Sequence, residues 1–172
     1  VASTQSLKAI AKAAEAEYVL LSIKPTKLEL GYYALERMLR VAADSDAAMV
    51  YSDHFSVANG ETTKHPVIDY QWGSLRDDFD FGQLVLIKTD LLQEWAESNP
   101  ADYKFAGFYD LRLFLSRKGH LFHIDEFLYT DIELDTRLSG AKQFDYVNPR
   151  NREVQVEMEK AATCHLEAIG AL

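Results

Sequence analysis

Cysteine is nearly absent from this chain: Cys164 is the only one, so no internal disulfide can form, which agrees with a reducing, cytoplasmic setting. Long apolar runs are also missing. None approaches the length that crosses a bilayer, and the first residues lack the charged-then-apolar layout of a secretion signal. There is no excess of basic residues, and the net charge of -9 argues against nucleic-acid phosphates as the partner. An anionic ligand therefore has to be met by a local cluster of cations or amide donors, because the overall field repels it. Familiar chemical motifs are lacking too: no Gly-x-Ser-x-Gly elbow, no Walker-type phosphate loop and no Gly-x-Gly-x-x-Gly, so hydrolase, kinase-like and dinucleotide readings have no positive support. The five histidines form no Cys/His ligand set. His120 and His123 lie three apart on an expected strand and point to opposite faces, while His54, His65 and His165 are scattered.

What is present is an ordinary globular composition, with 172 residues, 48% apolar and 26% charged, which fits a single domain over residues 1–172. The chain is organised around Ala47-Ala48-Met49-Val50-Tyr51-Ser52-Asp53, a short apolar run that ends in polar residues. A buried parallel strand has this form and presents ligand groups at its carboxyl end. Tyr18-Val19-Leu20-Leu21 has the same form and ends in Ser22. Two such strands of one sheet bring Lys24 and Asp53 to a shared rim.

Around them, Ser3 or Thr4 caps a helix carrying Leu7, Ile10, Ala11 and Ala14, and Gly31 precedes a helix whose expected core stripe is Tyr32, Leu35, Leu39 and Ala42. This helix–strand order points to an α/β fold with a mixed, mostly parallel sheet flanked by helices. Asn59-Gly60 signals a two-residue hairpin turn after Phe55 and Val57. Residues 64–82 read as a long surface loop, Leu84–Ile87 as a buried strand and Thr89 to about Glu97 as a helix broken at Asn99-Pro100. A helix over 108–118, a strand from His120 through Tyr129 and a closing helix over 149–170 complete the chain. The closing helix has Val154, Met158, Ala161, Ala162, His165 and Ile169 on one face and offers a surface for homodimerisation.

The run Met49-Val50-Tyr51-Ser52-Asp53, then Asn59-Gly60, Pro66 and Leu84-Val85-Leu86-Ile87-Lys88-Thr89-Asp90, resembles the middle of family 2 glycosyltransferases. Asp110-Leu111-Arg112-Leu113 through Gly119 resembles the helix that follows that family's catalytic carboxylates, and Leu128-Tyr129 with Arg137 and Ser139 resembles a later segment. The resemblance spans roughly residues 3 to 140 and rests on the order of the pieces. It implies the later part of an A-type nucleotide-diphospho-sugar transferase fold, the first nucleotide-binding strands falling before Val1. It also implies a nucleotide-sugar donor and a glycan or lipid-linked acceptor, with bacterial surface polysaccharide assembly as the setting.

The family's divalent Mg²⁺ or Mn²⁺ would be held by a Leu-Leu-Asp-x-Asp motif, which falls on Leu20-Leu21-Ser22-Ile23-Lys24, where both carboxylates are gone. No metal ligand is therefore assigned. The family's Glu-Asp pair falls on Gly107-Phe108, leaving Asp110 as the candidate general base, although an acid in a first helical turn is also stabilised by the helix dipole alone. Lys24 is the candidate substitute for the metal, since an ammonium about 4 Å from a phosphate at an effective dielectric near 20 is worth about 4 kcal/mol before desolvation; a solvated loop lysine is the alternative. Asp53 is assigned to a ribose or sugar hydroxyl, or else to a turn. Trp72, Tyr70 and Arg76 are assigned to sugar stacking and phosphate pairing, with anchoring of the loop to the core as the alternative, and Arg137 with Ser139 to the diphosphate. A degenerate, non-catalytic module that binds a glycan or protein partner is the reading from a different class.

Overall fold

A computed structural model describes residues 3–98, 100–132 and 149–171. In chain order the elements are α1 (Thr4–Ala13), β1 (Tyr18–Ser22), β2 (Lys27–Leu30), α2 (Ala34–Ser45), β3 (Met49–Ala58), β4 (Glu61–His65), β5 (Leu84–Lys88), α3 (Thr89–Glu97), α4 (Gly107–Lys118), β6 (Leu121–Ile132) and α5 (Pro149–Ala168). The expected break at Asn99 and the segment carrying Arg137 and Ser139 lie outside the described residues.

The six strands among the described residues join one sheet in the order β1-β5-β3-β6-β2, with β4 paired to β3. The fold is α/β and the sheet is mixed, but it is not mostly parallel: only β3 and β6 pair in parallel, and the β1–β5, β3–β5, β2–β6 and β3–β4 pairs are antiparallel. The reason is local. β5 inserts between β1 and β3 and runs against both, so β1 and β3 keep a common direction without touching.

Alternation along the strands loads two cores. Val19, Leu21, Met49, Tyr51, Val85 and Ile87 face α1, α3 and α4, whereas Tyr18, Leu20, Val50, Leu84 and Leu86 face α2. Strand β5, buried on both faces, is therefore a continuous apolar run. The buried face of α2 is Ala34, Met38 and Ala42, so of the expected stripe Ala42 is buried while Tyr32, Leu35 and Leu39 are 89%, 41% and 36% exposed. Both stripes of this helix carry apolar residues, and the helix starts after Tyr33, which is in the left-handed region. Outside the sheet, α5 packs on α4 through Met158, Ala161 and Ala162. No helix among the described residues is long and apolar enough to cross a membrane.

The feature that shapes the site is an irregularity in the β3–β6 pairing. Ser52 faces Ile124, Asp53 faces Phe127 and His54 faces Tyr129, so β6 carries extra residues there and the pair bends. Beyond the bend β3 continues into its hairpin with β4, turning at Asn59 and Gly60, both at positive φ. That two-residue turn pairs Ala58 with Glu61 and therefore His54 with His65.

Candidate functional site

The connector after β1 is tied down by its own backbone. The Ser22 hydroxyl donates to the Lys24 carbonyl at 3.1 Å, the Ile23 amide donates to the Gln83 carbonyl at 2.8 Å, and the Gln83 side-chain amide donates to the Thr26 carbonyl at 2.7 Å. Lys24 therefore leaves the rim of the sheet at a fixed point. Its Nζ donates to Asp80 Oδ1 at 3.3 Å, the Gly82 amide donates to the same oxygen at 2.9 Å, and His65 Nε2 lies 2.9 Å from Asp80 Oδ2. Burial alone would raise the Asp80 carboxyl, but His65, the Gly82 amide and Lys24 together hold it below its ordinary range. His65 stacks on His54 with centroids 4.5 Å apart, and His54 stacks on Tyr129 at 5.0 Å. The His54 ring is 2% exposed, and burial, with His65 and Lys24 nearby, pushes its pKa down. The Tyr129 hydroxyl accepts the Gln83 amide at 2.6 Å, and burial pushes it up to about 12. Five segments thus converge on one carboxylate and one aromatic stack.

Lys24 also lines a cleft of about 220 Å³ with Ile23, Phe79, Phe81, Phe108 and Arg112. The guanidinium of Arg112 is 2% exposed and already engaged: it donates to the Tyr70 hydroxyl and to the Ser74 and Arg76 carbonyls. A larger groove of about 940 Å³ lies between α2 and β1, lined mainly by apolar groups such as Leu35, Leu39 and Leu86. Its charged groups, Glu17 and the Arg40–Glu36 pair, are exposed, so volume does not make it the site.

The residues picked out from sequence fall in different places. The expected shared rim does not form, because β1 ends at Ser22 while β3 runs past Asp53 to Ala58, and the Lys24 ammonium meets Asp80 rather than Asp53. Asp53, 1% exposed, turns the other way: its Oδ1 accepts the Val67 amide at 2.8 Å and lies 2.8 Å from His123 Nε2. The other ring nitrogen of His123 lies 2.7 Å from Asp69, and the ring stacks on Tyr51, whose hydroxyl donates to the Ile68 carbonyl. This set fastens the start of the 66–83 loop to the sheet. Asp110 sits between α3 and α4, its carboxylate accepting the Trp95 indole N–H at 2.8 Å, and burial pushes its pKa up. Trp72 is 87% exposed while its indole N–H donates to the Ser116 carbonyl at 3.2 Å. Arg76 pairs with Asp78 on the surface at 3.0 Å.

His65, Asp80, His54 and Tyr129 were not among the sequence candidates. One signal for them was present, since the Asn59-Gly60 turn fixes His54 opposite His65. Nothing local ties Asp80 to Lys24, which is 56 residues away.

The donor set at the place of the family's metal motif does not fit a divalent metal: the Ser22 hydroxyl is turned to the backbone, and Lys24 contributes a cation. Among the described residues no group of three or more His, Cys, Asp or Glu side chains is arranged to hold one. No protein-family model and no curated protein matches the chain.

Proposed function

We propose that this chain is a glycosyltransferase-like domain that takes a nucleotide-sugar donor at the end of β1, beside Lys24, and passes the sugar to a glycan or lipid-linked acceptor. The observation that carries the reading is the position of Lys24: its ammonium is steadied by Asp80, and the residue lines an aromatic cleft just after the carboxyl end of β1. Phenylalanine faces suit a pyranose ring, and a fixed ammonium suits a diphosphate in a protein whose overall field repels anions. The reaction is an in-line displacement at the anomeric carbon, with Lys24 facing the departing diphosphate and no step assigned to a metal. Arg137 and Ser139 remain assigned to the diphosphate.

The test is calorimetry and thermal shift with uridine and guanosine diphosphate sugars, with and without Mn²⁺. Binding of one donor, weakened about tenfold or more in Lys24→Ala, is the expected result. A flat response across the panel overturns the proposal. The engagement of Asp110 by Trp95 favours a second reading, a non-catalytic module that binds a glycan or protein partner. Donor binding without release of nucleoside diphosphate would select it. Dimerisation through α5 would have to use Val156 and Ile169, which are exposed, because the face carrying Met158 and Ala161 is already packed on α4.

A further inference from the structure

Asp80 does more than neutralise Lys24. Its Oδ1 takes the ammonium and the Gly82 amide, which leaves Oδ2 to His65 Nε2 at 2.9 Å. An ionised carboxylate only accepts, so a neutral His65 carries its proton on Nε2 and keeps an unshared pair on Nδ1. That nitrogen has no hydrogen-bond partner among the described residues, and the His65 side chain is 45% exposed. The plane of the ring is fixed as well, by the stack that runs from His65 through His54 to Tyr129. A base held in one tautomer by a carboxylate, beside a cation and open to solvent, has the geometry of an acid–base catalyst.

We infer that His65 is the general base of this site and Asp80 its positioning residue, an assignment that rests on the transferase reading above. The alternative carboxylate, Asp110, is held by Trp95 within the α3–α4 packing. In the step itself the acceptor hydroxyl oxygen bonds to the anomeric carbon and its proton passes to His65 Nδ1. The bond from that carbon to the diphosphate oxygen breaks, and its electron pair leaves with the nucleoside diphosphate, whose new charge faces Lys24. Asp80 then lies between two cations, the imidazolium and the ammonium. Release of the proton to water resets the base.

The test uses the full chain as wild type, His65→Gln, His65→Ala and Asp80→Asn. Donor affinity is measured by calorimetry, nucleoside diphosphate release with water or a glycan as acceptor, and the ring nitrogens of His65 by ¹⁵N resonance. Expected results are a protonated Nε2 and unprotonated Nδ1 in the wild type, and loss of that preference in Asp80→Asn. His65→Gln should keep donor affinity within about twofold and lower release about 100-fold, in the range of lost general-base catalysis. Added imidazole should restore part of the release in His65→Ala, an effect that a purely structural histidine would not give. An unchanged rate in His65→Gln overturns the base assignment alone, whereas a wild type that binds donor and releases nothing overturns it together with sugar transfer and selects the non-catalytic module. A wild type that binds no nucleotide sugar overturns the transferase reading and the base assignment with it.

Discussion

The carboxylate of Asp110 accepts the indole N–H of Trp95 at 2.8 Å, inside the packing of α3 against α4. Trp95 is 1% exposed, so Asp110→Ala leaves a buried donor unpaired at a cost of about 1–3 kcal/mol. For a chain of this size that lowers the melting midpoint by about 2–4 °C per kcal/mol. Asp110→Asn keeps an acceptor and should melt close to wild type. Because burial raises the Asp110 carboxyl, the folded state holds that proton more tightly than the unfolded chain. Its contribution is full at acid pH and is lost as pH rises through the folded value, so Asp110→Asn should gain on wild type from acid to neutral pH. Melting curves across that range check both points, and nucleoside diphosphate release unchanged in Asp110→Asn is expected alongside them.

How much of this was legible in the sequence depends on how local the cause is. β1, β5, the Asn59-Gly60 hairpin and α4 were readable because a few adjacent residues decide them. β2 was not, since Lys27-Leu28-Glu29-Leu30 is short and half charged, and becomes a strand only because β6 offers it an edge. The inward face of α2 is only partly readable: Ala42 is buried as expected, but Ala34 and Met38 take the place of Leu35 and Leu39, because periodicity cannot choose between two apolar stripes. Lys24 was picked for its position after β1, but its partner Asp80 comes from a loop whose path depends on tertiary packing.

Asp53 should prove to be a fastening for the 66–83 loop. Asp53→Ala removes the acceptor for the buried Val67 amide and for His123, whose side chain is 8% exposed. Leaving the buried Val67 amide and the His123 ring without their acceptor costs about 1–3 kcal/mol for each, so the midpoint should drop by roughly 4 °C or more. Asp69→Asn, at the 89% exposed end of the same histidine, should cost no more than about 1 kcal/mol. Limited proteolysis supplies the second readout: new cleavage within 66–83 is expected in Asp53→Ala and absent in Asp69→Asn.

Gly82 marks the tightest point beneath the candidate base. Its φ is +76°, and an added Cβ would lie 2.2 Å from the Tyr129 hydroxyl and 3.2 Å from His54 Nδ1. Gly82→Ala should therefore displace Tyr129 from the Gln83 and Leu84 amides and disturb the stack beneath His65. The left-handed strain alone is about 1 kcal/mol. A broadened His65 ring resonance together with a lower melting midpoint is the expected pair of effects. A wild-type His65 spectrum in Gly82→Ala would mean the stack does not orient the ring.

The docking of α5 on α4 should respond to pH in two separate windows, because two different groups hold it. Glu157 accepts the amides of Lys104, Phe105 and Ala106 just before α4, at 3.1, 2.7 and 3.0 Å. Although partial burial works the other way, these donors hold its carboxyl below the ordinary value of 4.5. Its contribution is present above that value and is lost only as pH falls through the lower, folded one. His165 acts earlier. Its Nδ1 lies 2.7 Å from a nitrogen of Arg117, which can only donate, so the ring must accept and be unprotonated there. Burial first, and then Arg117 and Arg112, push its pKa below 6.5. As pH drops past 6.5 the unfolded chain binds the proton and the folded one resists it, so stability falls between neutrality and the folded value, then levels off. Hydrogen exchange of the α5 amides should accordingly quicken in a first step below about pH 6.5, which His165→Gln removes, and in a second step below about pH 4.5, which Glu157→Gln removes. If His165→Gln left the first step in place, Arg117 would not be reading the charge of that ring.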